Sequence, residues 1–366
     1  MVGSVSIILR GGSESCRQSL KHYGRNIVCT LETSRCPLVG PAPTSMYYPM
    51  KKNITGIHHI TALASDSVKN LDFYTGVLGL RFIKKTVNFD APDVYHLYYG
   101  DEAGSPGSIL TFFPYEGIRR GSHGKGLVNT TTFSVPLDSI GFWEERLKRF
   151  GVPHKDAQER LGNEVFIYFE DPDGLGLELV FNEHDPRPGF TYGHIPAEYA
   201  IRGFFSAEIW AGGYERTAAL LTNQMDHVLI AEQGNRFRFA ATDAPGNYID
   251  ILVPNASGNG MSGAGTIHHL AFSTPDEETQ LIARRRIAER MLNPTPVIDR
   301  QYFKSIYFRE PSGVLFEVAT EAPGFAVDEP AESLGEGLML PPRYEPFRPQ
   351  LEKSLPALKL NLEAYQ

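Results

Sequence analysis

The chain has 366 residues, 42% hydrophobic and 11% aromatic, with a formal net charge of −8. That is enough apolar mass for two ordinary domains, and the acidic balance disfavours nucleic acid as a partner, since phosphate binding needs a basic face. No apolar run approaches bilayer length, so the expectation is a soluble, cytoplasmic protein with no membrane partner.

Residues 1–53 form a basic leader. Seven Lys/Arg face only Glu14 and Glu32 there, a net +5 that leaves −13 for the remainder. Cys16, Cys29 and Cys36 all lie in this stretch, so the body has no thiol for a disulfide or a thiolate metal site. The leader is rich in Arg and Ser and poor in acids, as mitochondrial transit peptides are. A disordered extension, or a true start at Met46 or Met50, reads equally well.

From Ile54 to about Thr320 the chain repeats itself. FEDPDGLGLELV at 169–180 lies over FREPSGVLFEVA at 308–319, and the same offset places Phe133-Ser134-Val135-Pro136 on Phe272-Ser273-Thr274-Pro275. Ile54–Ile57 lies more loosely over Ile201–Phe204. Each unit opens with an alternating strand (Gly56–Leu63, Leu127–Val135, Gly203–Trp210, Thr266–Thr274). A helix-period segment follows, such as Val68–Leu78 or Glu277–Leu292, and then short β-branched and aromatic runs between turns. The spacing predicts four βαβββ units at 54–116, 126–184, 200–255 and 265–320. They group into a first domain, 54–185, and a second, 200–320. One unit cannot cover its own concave face, so units must pair into two small barrels. Ser257-Gly258-Asn259-Gly260 reads as a linker, lacking the strand–helix context of a phosphate loop. The Pro- and Glu-rich tail, 321–366, reads as an ordered, irregular strap, with Leu338, Leu340 and Leu358 as candidate anchors.

Comparing the units locates the chemistry. The opening strands offer one inward position each, His59, Thr130, Ser206 and His269; the closing strands offer Thr111, Glu178, Asp250 and Glu317. Two opening strands carry doublets, His58-His59 and His268-His269, and strand alternation lets one member of each face the cleft. Pairing of unit 1 with unit 4 gathers His59, Thr111, His269 and Glu317. Two imidazoles and one carboxylate on one face of Fe(II) form the arrangement of non-haem iron oxygenases, with the remaining positions open. Units 2 and 3 would then make a barrel without imidazole or metal, with Glu178 kept as a salt-bridge or surface residue. Tandem pairing of units 3 and 4 would instead gather Asp250, His269 and Glu317, a harder site suited to Mn or Mg, and would leave His59 unexplained. Among the unmatched histidines, His96 and His227 are candidates to line the pocket.

These stretches resemble the vicinal-oxygen-chelate (glyoxalase/bleomycin-resistance/dioxygenase) superfamily, and within it the ring-cleaving dioxygenases of hydroquinones. The resemblance covers about 54–320 and rests on Gly56-Ile57-His58-His59-Ile60-Thr61, Tyr95–Tyr99, Thr266-Ile267-His268-His269 and Gly313–Glu317. It implies an α+β fold of four βαβββ units paired into two barrels, and an Fe(II) ion, with Mn(II) as the alternative metal, bound by His59, His269 and Glu317. It further implies O2 and a small aromatic diol as substrates, with catalytic roles for His58, Thr61, His268, Arg300 and Tyr307. Homo-oligomerisation is compatible with it. A metal-dependent isomerase or lyase of glyoxalase type and a small-molecule binding protein remain the competing functions. The retained ligand set argues against the binding protein.

Overall fold

The computed structural model describes residues 52–190, 193–244 and 247–366, so the leader up to residue 51, with its targeting expectation and its cysteines, lies outside the described residues. Unit 1 contributes β1 (Gly56–Ala64), α1 (Ser67–Leu71), β2 (Arg81–Asn88), β3 (Ala91–Gly100) and β4 (Ile109–Pro114). Unit 2 contributes β5 (Leu127–Val135), α2 (Ile140–Arg149), β6 (Gln158–Arg160), β7 (Glu164–Glu170) and β8 (Gly176–Phe181). Unit 3 gives β9 (Gly203–Trp210), α3 (Glu215–Gln224), β10 (Val228–Gln233), β11 (Arg236–Ala240) and β12 (Tyr248–Leu252). Unit 4 gives β13 (Thr266–Thr274), α4 (Glu277–Ala288), β14 (Ile298–Asp299), β15 (Lys304–Arg309) and β16 (Leu315–Thr320). No helix of the described residues is long and apolar enough to cross a membrane.

Pairing follows the histidines. One eight-stranded sheet has the order β14-β15-β16-β13-β1-β4-β3-β2 and joins unit 4 to unit 1; the other, β10-β11-β12-β9-β5-β8-β7-β6, joins unit 3 to unit 2. Each sheet therefore takes one unit from each half of the chain. The tandem pairing of units 3 and 4 is not formed, and Asp250 lies in the sheet opposite to His269 and Glu317. In both sheets the units meet through their antiparallel opening strands, β1 with β13 and β5 with β9. Within each unit the closing strand runs parallel to the opening one.

The stretch expected as a helix over 68–78 begins as α1, capped by the Asp66 side chain, and widens into π-helical turns over Asp72–Val77. There the Thr75 hydroxyl donates to the Leu71 carbonyl at 2.7 Å, a local bond that competes with regular α geometry. The widened turn carries Tyr74 into the interior, where its hydroxyl donates to Asp171 of unit 2 at 2.9 Å.

The two linkers between the sheets, before β5 and before β13, run against each other. Gly260 N donates to the Lys125 carbonyl at 3.0 Å and Ser122 N to that of Met261 at 2.9 Å. The approach is too close for side chains, because a Cβ on Gly124 would lie 2.4 Å from Gly260 N and one on Gly263 would lie 2.4 Å from the Arg119 carbonyl oxygen. Gly124→Ala is therefore expected to cost about 1–3 kcal/mol in urea unfolding, as backbone overpacking does. An unchanged midpoint would show that the linkers separate freely.

Candidate functional site

The antiparallel β1–β13 ladder carries two irregularities. Ile57 pairs with Phe272 but His59 pairs with Ala271, which leaves His58 unmatched. Thr61 pairs with His269 but Ala62 pairs with Ile267, which leaves His268 unmatched. A β-bulge inserts one residue and re-aims its side chain. The expected alternation, with one histidine of each doublet turned away, gives way for this reason: His58 Nδ1 lies 2.9 Å from His59 Nδ1, and His268 Nδ1 lies 2.8 Å from His269 Nδ1.

Across the strands His59 and His269 converge on Glu317 of β16. Their Nε2 atoms are 3.2 Å apart, and Glu317 Oε2 lies 3.3 Å from His59 Nε2 and 3.0 Å from His269 Nε2. All three residues are buried. Glu317 Oε1 accepts a short bond from the Ser305 hydroxyl, while buried Oε2 has no directed hydrogen-bond donor. Burial alone would raise the Glu317 carboxyl, but His59 and His269 outweigh it and hold it well below the ordinary range. Burial lowers His269. An ionised oxygen without a donor, facing two imidazole nitrogens, is a set of Lewis bases lacking an acid. Donors separated by 3.0–3.3 Å share a point about 2.2 Å from each when the angles between them are near 90°, as on one face of an octahedron. The residues present therefore fit a divalent metal.

The tautomers follow from that role. A metal there would need a bare Nε2, so the proton of His59 and of His269 would sit on Nδ1 and donate to Nδ1 of the preceding histidine. Both His58 and His268 must then carry their proton on Nε2. Of the expected second group, His268, Arg300 and Tyr307 line a cavity of about 410 Å³ that also contains His59 and His269. His58 and Thr61 are buried and do not line it. His58 backs His59, and the Thr61 hydroxyl pairs with that of Thr111 at 2.8 Å. Arg300 Nε donates to the Tyr307 hydroxyl at 3.2 Å, and its Nη1 to Asp90 at 3.2 Å. Burial, reinforced by the Glu317 charge, pushes the Tyr307 phenol up, so it stays protonated. Of the unmatched histidines, His96 lines the cavity, whereas His227 lies elsewhere with its Nδ1 against the Met225 carbonyl. Sequence comparison overlooked Ser305; its position two residues before Tyr307, on the same strand face, was the available signal.

The second sheet repeats the bulges, leaving Asn129 and Phe205 unmatched, but carries no histidine there. Its Glu178 accepts from Arg160 at 2.6 and 2.9 Å, and Asp250 accepts from Arg238 at 2.7 and 2.8 Å and from Arg236 at 2.8 Å. Guanidinium groups pair with these carboxylates, whereas in the first sheet His59, His269 and Glu317 face one another. Glu178 is thus an ion-pair residue.

Burial, helped by the His59 imidazole, holds His58 near pH 3. Its unfolded counterpart titrates near pH 6.5, so the unfolded chain takes up this proton first. The stability it contributes is present above pH 6.5 and is lost as the pH falls toward 3. In metal-free protein the urea midpoint should fall over that window, and His58→Gln should flatten the fall; a profile unaltered by the change would contradict it.

Residues 56–179 fit the family model of the Glyoxalase/Bleomycin resistance protein/Dioxygenase superfamily. The chain is 47% identical over 84% of its length, and 97% of the relative's, to the Bacillus subtilis protein named "Putative ring-cleaving dioxygenase MhqO". It is 31% identical, over 84% of its length and 97% of the relative's, to chlorohydroquinone/hydroquinone 1,2-dioxygenase of Sphingobium indicum. A crystal structure of a "putative dioxygenase" from Bacillus subtilis superposes with a TM-score of 0.81 at 46% identity, covering 85% of this chain and 99% of that one. Glyoxalase I from Zea mays shares the fold at a TM-score of 0.55 and 15% identity, covering 73% and 92% of the two chains. The chain therefore belongs to the glyoxalase/bleomycin resistance protein/dioxygenase superfamily, alongside relatives described as ring-cleaving dioxygenases.

Proposed function

We propose that the protein cleaves the ring of a hydroquinone-type (or catecholic) diol with O2, using Fe(II) held by His59, His269 and Glu317. The observation that carries this reading is the donor set: two imidazoles and a single carboxylate, with Thr111 at the strand position where a second carboxylate would sit. Fe(II) held by this set would supply one-electron exchange between an electron-rich diol and O2. The relative named for chlorohydroquinone and hydroquinone supports the same substrate class.

The chain's own residues do the rest. Phe89, Phe113, Tyr115, Ile298 and Leu315 give the cavity apolar walls that bind a flat ring and exclude water. His268, with its proton on Nε2, enters as a donor to a substrate oxygen rather than as a base. Arg300 keeps Nη2 without a hydrogen-bond partner among the described residues, a cation available to an oxyanion developing on the ring. The Tyr307 phenol, kept protonated by burial and the Glu317 charge and oriented by Arg300 Nε, can deliver a proton to a leaving oxygen.

Anaerobic loading with Fe(II) or Mn(II), followed by O2 uptake with hydroquinone, methylhydroquinone, chlorohydroquinone and catechol, tests the reading. The expected result is stoichiometric uptake with a ring-opened product, abolished in His59→Ala. Tyr307→Phe should lower kcat by about a hundredfold or more while leaving metal affinity intact. Tight metal binding without uptake on any diol would replace this reading with a redox-silent isomerase or lyase.

A further inference from the structure

One wall of the cavity carries a hydrogen-bond donor whose direction the backbone settles. Asn88 closes β2 and Tyr115 follows β4, and both side chains line the cavity beside Phe89 and Asp90. The Asp90 backbone N–H can only donate, and it meets Asn88 Oδ1 at 2.9 Å, two residues along the chain, as in an Asx-turn. That bond fixes which end of the Asn88 amide is the oxygen. The other end, Nδ2, can only donate, and it lies 2.9 Å from the Tyr115 hydroxyl. The Tyr115 oxygen therefore accepts. Among the described residues this hydroxyl has no other hydrogen-bond partner, so its hydrogen is left for a molecule in the cavity.

The donor is held in place. Burial raises the Tyr115 phenol by more than the Asn88 bond lowers it, and Asp93 and Asp90 add to the rise, so the hydrogen stays on the oxygen. Asn88 is itself buried, and the carbonyl of the next residue, Phe89, accepts from Arg343 and from the Tyr344 hydroxyl. A line of rings connects Tyr115 to the ligand set. His268, which stands against His269, has its ring centre 5.7 Å from that of Phe113, and Phe113 lies 6.5 Å from Tyr115. A substrate ring lying along Phe113 with one end at the ligand set turns its other end to Tyr115.

We propose that Tyr115, aimed by Asn88, is a specificity-determining residue that donates to an oxygen at the ring position farthest from His59, His269 and Glu317. The cavity then selects rings that carry an acceptor there over rings that carry an alkyl group or a hydrogen. The inference rests on the dioxygenase reading for the identity of the ring, and it sets a para diol above an ortho one, whose two oxygens lie at the same end. A placed donor discriminates in this way because a ligand without the acceptor leaves it desolvated and unpaired.

Binding measurements test this without turnover. 4-Methoxyphenol and 4-ethylphenol have nearly the same shape and differ by an oxygen in place of a methylene. In anaerobic Fe(II)-loaded protein, titration calorimetry should show the ether bound about fivefold more tightly, the net scale of one neutral hydrogen bond. Tyr115→Phe should bring the two ligands level without weakening 4-ethylphenol. Asn88→Asp keeps the shape of the side chain but offers acceptors alone, so the Tyr115 hydrogen turns to it and the cavity meets a lone pair instead. The ether preference should then vanish while hydroquinone, which can donate, stays bound; a merely structural Asn88 would not produce that split. In turnover Tyr115→Phe should raise KM for hydroquinone and leave KM for catechol unchanged. Equal binding of the two phenols by the unaltered protein, failure of both to bind, or an ether preference that survives Tyr115→Phe would overturn the proposal. An ether preference lost in Tyr115→Phe, in a protein that consumes no O2, would refute the dioxygenase reading and leave this inference standing.

Discussion

The pairing of β1 with β13 is the constraint on which the site depends. These strands are 210 residues apart at His59 and His269, and no local interaction brings them together. What joins them is the need of two half-sheets to bury their opening strands, which are apolar on both sides of the ladder apart from the histidines and threonines at its centre. Once paired, the antiparallel geometry is self-complementary, so any feature of one strand recurs on the other. Each strand carries a bulge, and each bulge holds a histidine directly behind the one that faces its twin. The pair of supported imidazoles is therefore a property of the ladder; Glu317, contributed by one side alone, breaks the symmetry and opens the site to one face.

The second sheet shows what the same scaffold does without imidazole. It keeps both bulges and both carboxylates, Glu178 and Asp250, in a centre that remains buried. Two buried carboxylates cannot stay ionised unpaired, because removing each from water costs several kcal/mol. Arg160, Arg236 and Arg238 supply the compensation, with Glu164 and Glu208 completing the network. Each centre thus meets its electrostatic requirement in a different way: fixed cations from the chain itself in one sheet, a neutral-plus-anionic donor set in the other. The first solution leaves no donor free for a metal and the second leaves three, which is why the proposed chemistry is assigned to the sheet of units 1 and 4.

The sequence made the large-scale arrangement legible because the repeat is preserved where it matters for packing. The FEDPDG and FREPSG stretches do the same job in both places: Asp171 accepts from Tyr74 of unit 1, and Glu310 accepts from Thr217 of unit 3 at 2.6 Å, each tying its turn to a helix of the neighbouring sheet. The histidine doublets identified the units that must pair. What could not be read was any departure from ideal strand geometry. Period-two alternation turns His58 and His268 away from the cleft, and a one-residue bulge, which has no signature in these residue types, instead sets each against the following histidine and lets His268 reach the cavity. Ser305 and Tyr115 were missed for a related reason: their roles arise from neighbours elsewhere in the sheet, whose identity depends on register. The Gly-rich linker read correctly as a linker, yet its composition reflects a second backbone passing within van der Waals distance, which no single stretch reveals.

The tail extends this logic to the cavity mouth. Lys84 is fully buried on β2, next to Tyr98 in register, and its ammonium meets Asp328 at 2.7 Å and Glu329 at 2.6 Å. Glu329 in turn accepts from Gly337 N at 2.9 Å, so one buried charge organises the first turns of the strap. Further along, Arg343 and the Tyr344 hydroxyl both donate to the Phe89 carbonyl, at 2.7 and 2.8 Å. Phe89 and Asp90 form the tip between β2 and β3 and line the cavity, where Asp90 also meets Arg300. The tip of a two-stranded hairpin is ordinarily among the first segments to open. Here it is gripped from outside by the strap and from inside by Arg300, the residue proposed to meet the substrate oxyanion. The position of that guanidinium is therefore linked, through Asp90 and the Phe89 carbonyl, to the strap, which is itself anchored by buried Lys84 across sequence separations of 244 and 245 residues. The strap thus braces the rim of the cavity through Phe89 without lining the cavity itself.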